Sequence, residues 1–213
     1  MILMMRIDSL KTTPDRAGRY WLSLEDGTKM ALYRQTVEDF GLYAGMELSD
    51  GELAKLREAA GAMSAKMRAV RIVTASNVSR KDLQQRLVQK GEDPKHSAEA
   101  VAWMEQMHLV DDAETARQIV SRCAARGYGI NRAKQILYEK KIPKTYWDAA
   151  LADFPNQTGV ILAFLRTRLD GTDDPKEVKK AIDALMRRGH NYSQIRSALS
   201  CMSVDTDEFP EET

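Results

Sequence analysis

Few side chains in this 213-residue sequence have reactive chemistry to offer, and their spacing keeps them apart. His96, His108 and His190 follow no H-E-x-x-H pattern and have no cysteine partner at zinc spacing, so metal binding is not expected. Cys123 and Cys201 fall on the apolar faces of predicted helices, where they read as reduced core residues and not as nucleophiles. No G-x-S-x-G elbow or Walker-type phosphate loop occurs, and Gly127-Tyr128-Gly129 is too short for a nucleotide fingerprint and reads as a helix stop. Asp111-Asp112 resembles an acid pair, but its place before an apolar-periodic run makes it a helix cap. With no nucleophile, base or metal ligand set to write down, the chain is expected to be no enzyme and to need no cofactor.

Cations are what remain. Arg80, Arg86 and Lys90 lie on one predicted helix, Arg132, Lys134 and Lys140 on a second, and Lys176, Lys180, Arg187 and Arg188 on a third, largely off the apolar stripes. Residues 52–204 carry 26 basic and 18 acidic side chains, whereas residues 1–51 carry 6 and 8, and residues 205–213 carry none and 5. The overall charge of +1 therefore conceals a basic middle. Such a track suits either phosphates or carboxylates through the planar arginine fork, and ordinary solvated cations account for it equally well. Aromatic residues do not favour base stacking: Trp147 sits at a core position, Tyr128, Tyr138, Tyr146 and Tyr192 are scattered, and Trp103 and Tyr146 are the candidates for exposure.

The elements that carry these cations repeat. Aligned on Leu87, Leu137 and Leu185, the sequence also matches at Lys90, Lys140 and Arg188, at Val101, Leu151 and Leu199, and at Met104, Phe154 and Met202. A period in the range of about 20–50 residues marks an array of one supersecondary unit. Apolar spacing of three and four predicts a mainly α protein, an elongated array of three tandem three-helix repeats, preceded by a small β-hairpin or three-strand region. The predicted strands are Met5-Arg6-Ile7, Tyr20 to Leu24 and Lys29 to Tyr33, with Asp26-Gly27 as a hairpin turn and Val37, Phe40 and Leu42 covering the sheet.

Residues 1–48 form this extension, 49–111 a connecting helix and repeat one, 112–154 repeat two, 155–204 repeat three, and 205–213 an acidic disordered tail. Ser79 with Asp82 reads as a capping box, Asp93-Pro94 and Asp174-Pro175 as helix starts, and Gly91 and Gly189 as stops. Ala98, Val101, Ala102 and Met104 are the expected inward face of repeat one's last helix. The opening residues make no signal peptide and no run of 18 apolar residues exists, so a cytoplasmic monomer without a membrane span is expected.

At this point the sequence resembles a known family. Ser79-Arg80-Lys81-Asp82-Leu83-x3-Leu87-x2-Lys90-Gly91, then Leu109-Val110-Asp111-Asp112-x3-Ala116, then Arg132-x4-Leu137-x2-Lys140-x-Ile142-Pro143 look like RecX, and Leu185-x2-Arg188-Gly189-x5-Ile195-x2-Ala198-Leu199 is similar too. The resemblance covers about residues 50–203. Lys141 departs from it by standing where glycine is usual, which predicts a differently built turn. Thr74-Ala75-Ser76-Asn77 lacks the usual arginine and proline.

The resemblance implies a non-catalytic regulator of RecA that binds along the groove of the RecA–DNA filament and modulates, usually inhibits, its ATPase, recombinase and coprotease activities. It also implies weak, non-specific binding of single- and double-stranded DNA. A stand-alone DNA-binding protein with helix-turn-helix-like modules is the competing reading of the basic repeats.

Overall fold

The computed structural model describes residues 4–202, so the acidic tail from Asp205 lies outside the described residues. Contacts divide the chain into two compact units that part between Val110 and Asp111.

The first unit opens with β1 (Met4–Leu10), β2 (Arg19–Leu24) and β3 (Lys29–Tyr33), followed by α1 (Arg34–Asp39) and β4 (Glu47–Ser49). The sheet is antiparallel in the order β3-β2-β1-β4. The three expected strands are present, and β4 is an addition: three residues are too short to show alternation, yet Leu48 is buried and β4 closes the free edge of β1. Ile7, Leu22, Leu24, Leu32 and Leu48 form one apolar face. Val37, Phe40 and Leu42 pack on it as expected, but Leu53 and Leu56 of the next helix are the more deeply buried cover.

That helix, α2 (Asp50–Ala75), starts in a reciprocal capping box between Ser49 and Glu52. Leu53 and Leu56 serve the sheet, then Ala65 and Ala69 serve repeat one, so α2 belongs to both cores. Small residues are needed there because α4 (Pro94–Gln106) approaches closely: a Cβ on Gly61 would lie 2.6 Å from the His96 ring. In sequence α3 (Arg80–Gln89) links them, with Leu83 and Leu87 wholly buried. The inward face of α4 is His96, Ser97, Ala100, Val101 and Met104, which corrects the expectation for Ala98 and Ala102; both are exposed. A serine within the 97, 100, 101, 104 stripe disguised its register.

The second unit holds two helix triplets. In α5 (Asp112–Ala125), α6 (Ile130–Glu139) and α7 (Trp147–Leu151), Ala116, Ile119, Val120, Cys123, Ala133, Leu137 and Ile142 are buried. A 3-10 turn, Lys144–Tyr146, precedes α7, and Trp147, Leu151 and Phe154 are only half-buried, less than their periodicity predicts. Its counterpart is α8 (Thr158–Leu169), α9 (Pro175–Arg187) and α10 (Tyr192–Ser200), closed around Ile161, Leu165, Val178, Leu185, Ile195 and Leu199. Cys201, expected in the core, is exposed at the end of α10.

Candidate functional site

The second helix of each triplet ends in the same way. Lys90, Lys140 and Arg188 are the C-cap residues that directly follow α3, α6 and α9, and the next residue is left-handed: Gly91 at φ 87°, Lys141 at 56° and Gly189 at 84°. After it, Glu92 N–H donates to Leu87 O at 3.1 Å, Ile142 N–H to Leu137 O at 3.0 Å and His190 N–H to Leu185 O at 3.2 Å. The turn at Lys141 is therefore not built differently; lysine accepts the strained conformation that glycine takes freely.

The ten sequence-predicted cations are distributed unevenly around this frame. Arg80 Nη1 pairs with Glu105 at 2.7 Å, and Arg86 with Asp82, its neighbour one turn back, at 2.8 Å. Asp82 is buried and its backbone N–H is capped by Ser79 Oγ at 3.1 Å. Arg132 donates to Gln135 at 2.7 Å and stands 3.7 Å from Glu139. Lys180 pairs with Glu177 at 2.7 Å, which lowers the Glu177 pKa. Lys90, Lys134, Lys176 and Arg187 extend into solvent.

Two clefts in the second unit gather some of these side chains. Lys180 and Arg187 join Arg168, Asp183 and Phe164 around an open cleft of about 430 Å³, and Arg188 lies over the Phe164 ring, 5.1 Å from its centre. Lys140 joins Arg122, Arg126 and Tyr128 around a smaller one of about 140 Å³ with Cys123 at its floor. Sequence reading passed over Arg122, Arg126 and Arg168, which belong to first helices and their ends. The signal was present: Arg122 and Arg126 are four apart, as are Phe164 and Arg168, so each pair shares a helix face. Cys123 has cationic neighbours, but burial pushes its thiol pKa up, against the opposing pull of Arg132, Arg122 and Arg126. That favours the thiol over the reactive thiolate.

A further contact holds the two triplets of the second unit together. Gly129 N–H donates to Arg188 O at 2.9 Å and Asn131 N–H to Gly189 O at 3.1 Å. Asn131 Nδ2 donates to Asn191 Oδ1 at 2.8 Å, so Asn191, the N-cap of α10, gives its side chain to this junction and makes no side-chain cap bond to the helix. The buried His190 donates from Nε2 to Gly127 O at 3.1 Å, while its Nδ1 has no hydrogen-bond partner. Burial lowers the His190 pKa, the Gly127 hydrogen bond opposes that shift, and Arg188 adds to it. Gly127-Tyr128-Gly129 is thus more than a helix stop.

Among the described residues no group of three or more His, Cys, Asp or Glu side chains could hold a metal ion, and no helix is long and apolar enough to cross a membrane. Fold and surface together define a mainly α-helical repeat protein with cations capping its second helices, preceded in sequence by a small antiparallel sheet.

Comparison with known proteins narrows this class. No family model matches the chain. A regulatory protein RecX of Xanthomonas campestris pv. campestris is 30% identical over 134 residues, spanning 62% of this chain and 83% of that protein. One from Clostridioides difficile is 25% identical over 215 residues, 98% of this chain and 99% of that protein. A crystal structure of a regulatory protein RecX superposes with a TM-score of 0.63 at 19% identity, over 91% of this chain and 99% of that one. That of RecX from Lactobacillus salivarius gives 0.58 at 15% identity, over 68% and 98%. The chain belongs to the RecX family.

Proposed function

We propose that this protein is a non-catalytic regulator of RecA, binding along the groove of the RecA–DNA filament and damping ATP hydrolysis and strand exchange. Membership in a family whose curated relatives are named regulatory proteins carries this reading. The recurrence of a terminal cation on the second helix of every triplet supports it. Several modest contacts on one chain act through effective concentration, so a repeat protein gains affinity from a repeating partner without any single strong site. Binding that favours one filament conformation regulates it without an active site.

ATP hydrolysis by RecA on single-stranded DNA, titrated with the protein at fixed salt beside a control for its binding to bare DNA, tests this. Inhibition well below stoichiometric amounts, at concentrations that leave bare DNA unbound, is the expected result. Reversing Lys90, Lys134 and Arg187 to glutamate, all exposed, is expected to weaken inhibition by about an order of magnitude and flatten its salt dependence while the helical signal stays unchanged.

The cleft that sets Arg168, Lys180 and Arg187 around Phe164 favours a second reading, direct DNA binding. Under that reading, inhibition follows the coating of bare DNA, and log K falls by about 0.9 per log unit of salt for each duplex phosphate neutralised.

A further inference from the structure

Of the eight large apolar side chains exposed among the described residues, three occupy one position of the repeat: Val88 at 40%, Tyr138 at 73% and Met186 at 45% exposure. Each directly follows the wholly buried leucine of its second helix, Leu87, Leu137 or Leu185, and is the next-to-last residue of that helix. Their backbones are held alike. The carbonyl of each accepts the N–H of the left-handed residue three places on, at 2.9 Å from Gly91, 2.9 Å from Lys141 and 2.8 Å from Gly189. The cation that caps the helix stands between the apolar residue and the left-handed one in sequence every time.

Single exposed apolar residues are ordinary on a protein surface. Recurrence at one register in three helices, with local geometry preserved and residue type free to vary among valine, tyrosine and methionine, is different. What recurs is an apolar side chain kept out of the core, two residues before the cation that caps the helix.

The chemistry of the three side chains selects the occupant. Valine and methionine have no ring to stack on a base and no donor for a phosphate, so a nucleic-acid backbone rewards neither, and what is left to them is a thymine methyl or a wedge between base steps. Desolvation against an apolar depression on a protein rewards all three, and a carboxylate at its edge suits Lys90, Lys140 and Arg188. We propose that Val88, Tyr138 and Met186 are equivalent anchors that seat in acid-rimmed apolar depressions recurring along a protein polymer. This rests on the filament reading above and assigns its contact residues.

The test compares the parent with Val88→Ser, Tyr138→Ser and Met186→Ser, singly and together, for co-sedimentation with RecA filaments on single-stranded DNA and for binding to bare duplex DNA. Each single change is expected to weaken filament binding about threefold to tenfold and the triple change about a hundredfold, with duplex binding and melting temperature unaltered. The conservative set Val88→Ile, Tyr138→Phe and Met186→Leu is expected to bind as the parent does, which guards against loss through folding. A triple serine variant that binds filaments as tightly as the parent overturns the assignment. Parallel loss of filament and duplex binding overturns it in favour of a nucleic-acid surface. A parent that does not bind filaments removes the proposed function itself, and the anchors with it.

Discussion

Replacing Gly129 with alanine tests whether the two triplets of the second unit are locked through their turns. Gly129 has φ −76° and ψ 166°, an extended backbone that any residue adopts, so alanine meets no conformational penalty. In the unfolded chain it is even favourable, by about 0.4–1 kcal/mol. The contact opposes it: a Cβ on Gly129 overlaps the Gly189 carbonyl and His190 N, neither of which is a flexible side-chain end. One turn has to withdraw, which breaks the bonds from Gly129 N–H to Arg188 and from Asn131 N–H to Gly189. Each is worth about 0.5–1.5 kcal/mol net, and overpacking adds about 1–3 kcal/mol, so the expected loss is about 2–5 kcal/mol. Urea unfolding followed through Trp147, the one tryptophan of the second unit, reads it. Gly159→Ala is the control, since nothing lies within 4 Å of the added methyl. Equal midpoints for the two variants would refute the reasoning.

Two more predictions concern the same unit. Lys141→Gly relieves a left-handed residue at a cost in chain entropy, and a net stabilisation of about 0.5–1 kcal/mol is expected by urea unfolding, with Lys141→Ala giving none. His190 titrates lower in the folded protein than in the unfolded chain, so its contribution is complete above the unfolded pKa and is lost as pH falls through the folded one. Trp147-detected stability is therefore expected to decline below about pH 6.5, and less steeply in His190→Gln, with an equal slope in both proteins contradicting the assignment.

The helices were legible because periodicity and stop chemistry agree: Leu83 with Leu87, Asp93-Pro94, and Gly91 each point to the same boundary. Where they conflict, reading failed. Ser97 on the buried face of α4 displaced the predicted stripe onto Ala98 and Ala102, and β4 is too short for any period to register. Gly129 and Gly189 illustrate a deeper limit. A glycine reads as a turn whether it supplies backbone freedom or removes a Cβ from another segment's path, and only the partner, about 60 residues away in the chain, distinguishes them. The exposed anchors were hidden for a related reason: Val88 and Met186 are apolar, and a sequence assigns apolar residues to the core unless their angle from Leu87 and Leu185 is known.

Charge alone is a poor guide to which cations a partner can engage, because the pairs they already make differ in kind. Arg80–Glu105 and Lys180–Glu177 lie at the surface, where an ion pair is worth about 0–1 kcal/mol and exchanges readily for an acid on a partner. Arg86 is different: Asp82 is nearly buried, with 8% of its side chain accessible, and drawing the guanidinium away leaves a desolvated carboxylate behind. Glu92, equally buried, holds Arg68 in the same way at 2.5 Å. These two arginines are consumed by the fold of repeat one, and reversing either would damage folding before it revealed anything about binding. The usable cations are those whose partners are wet or whose helix ends face solvent. This moves the weight of the candidate surface from the middle of the second helices to their C-terminal ends, where an exposed apolar side chain also recurs in all three triplets.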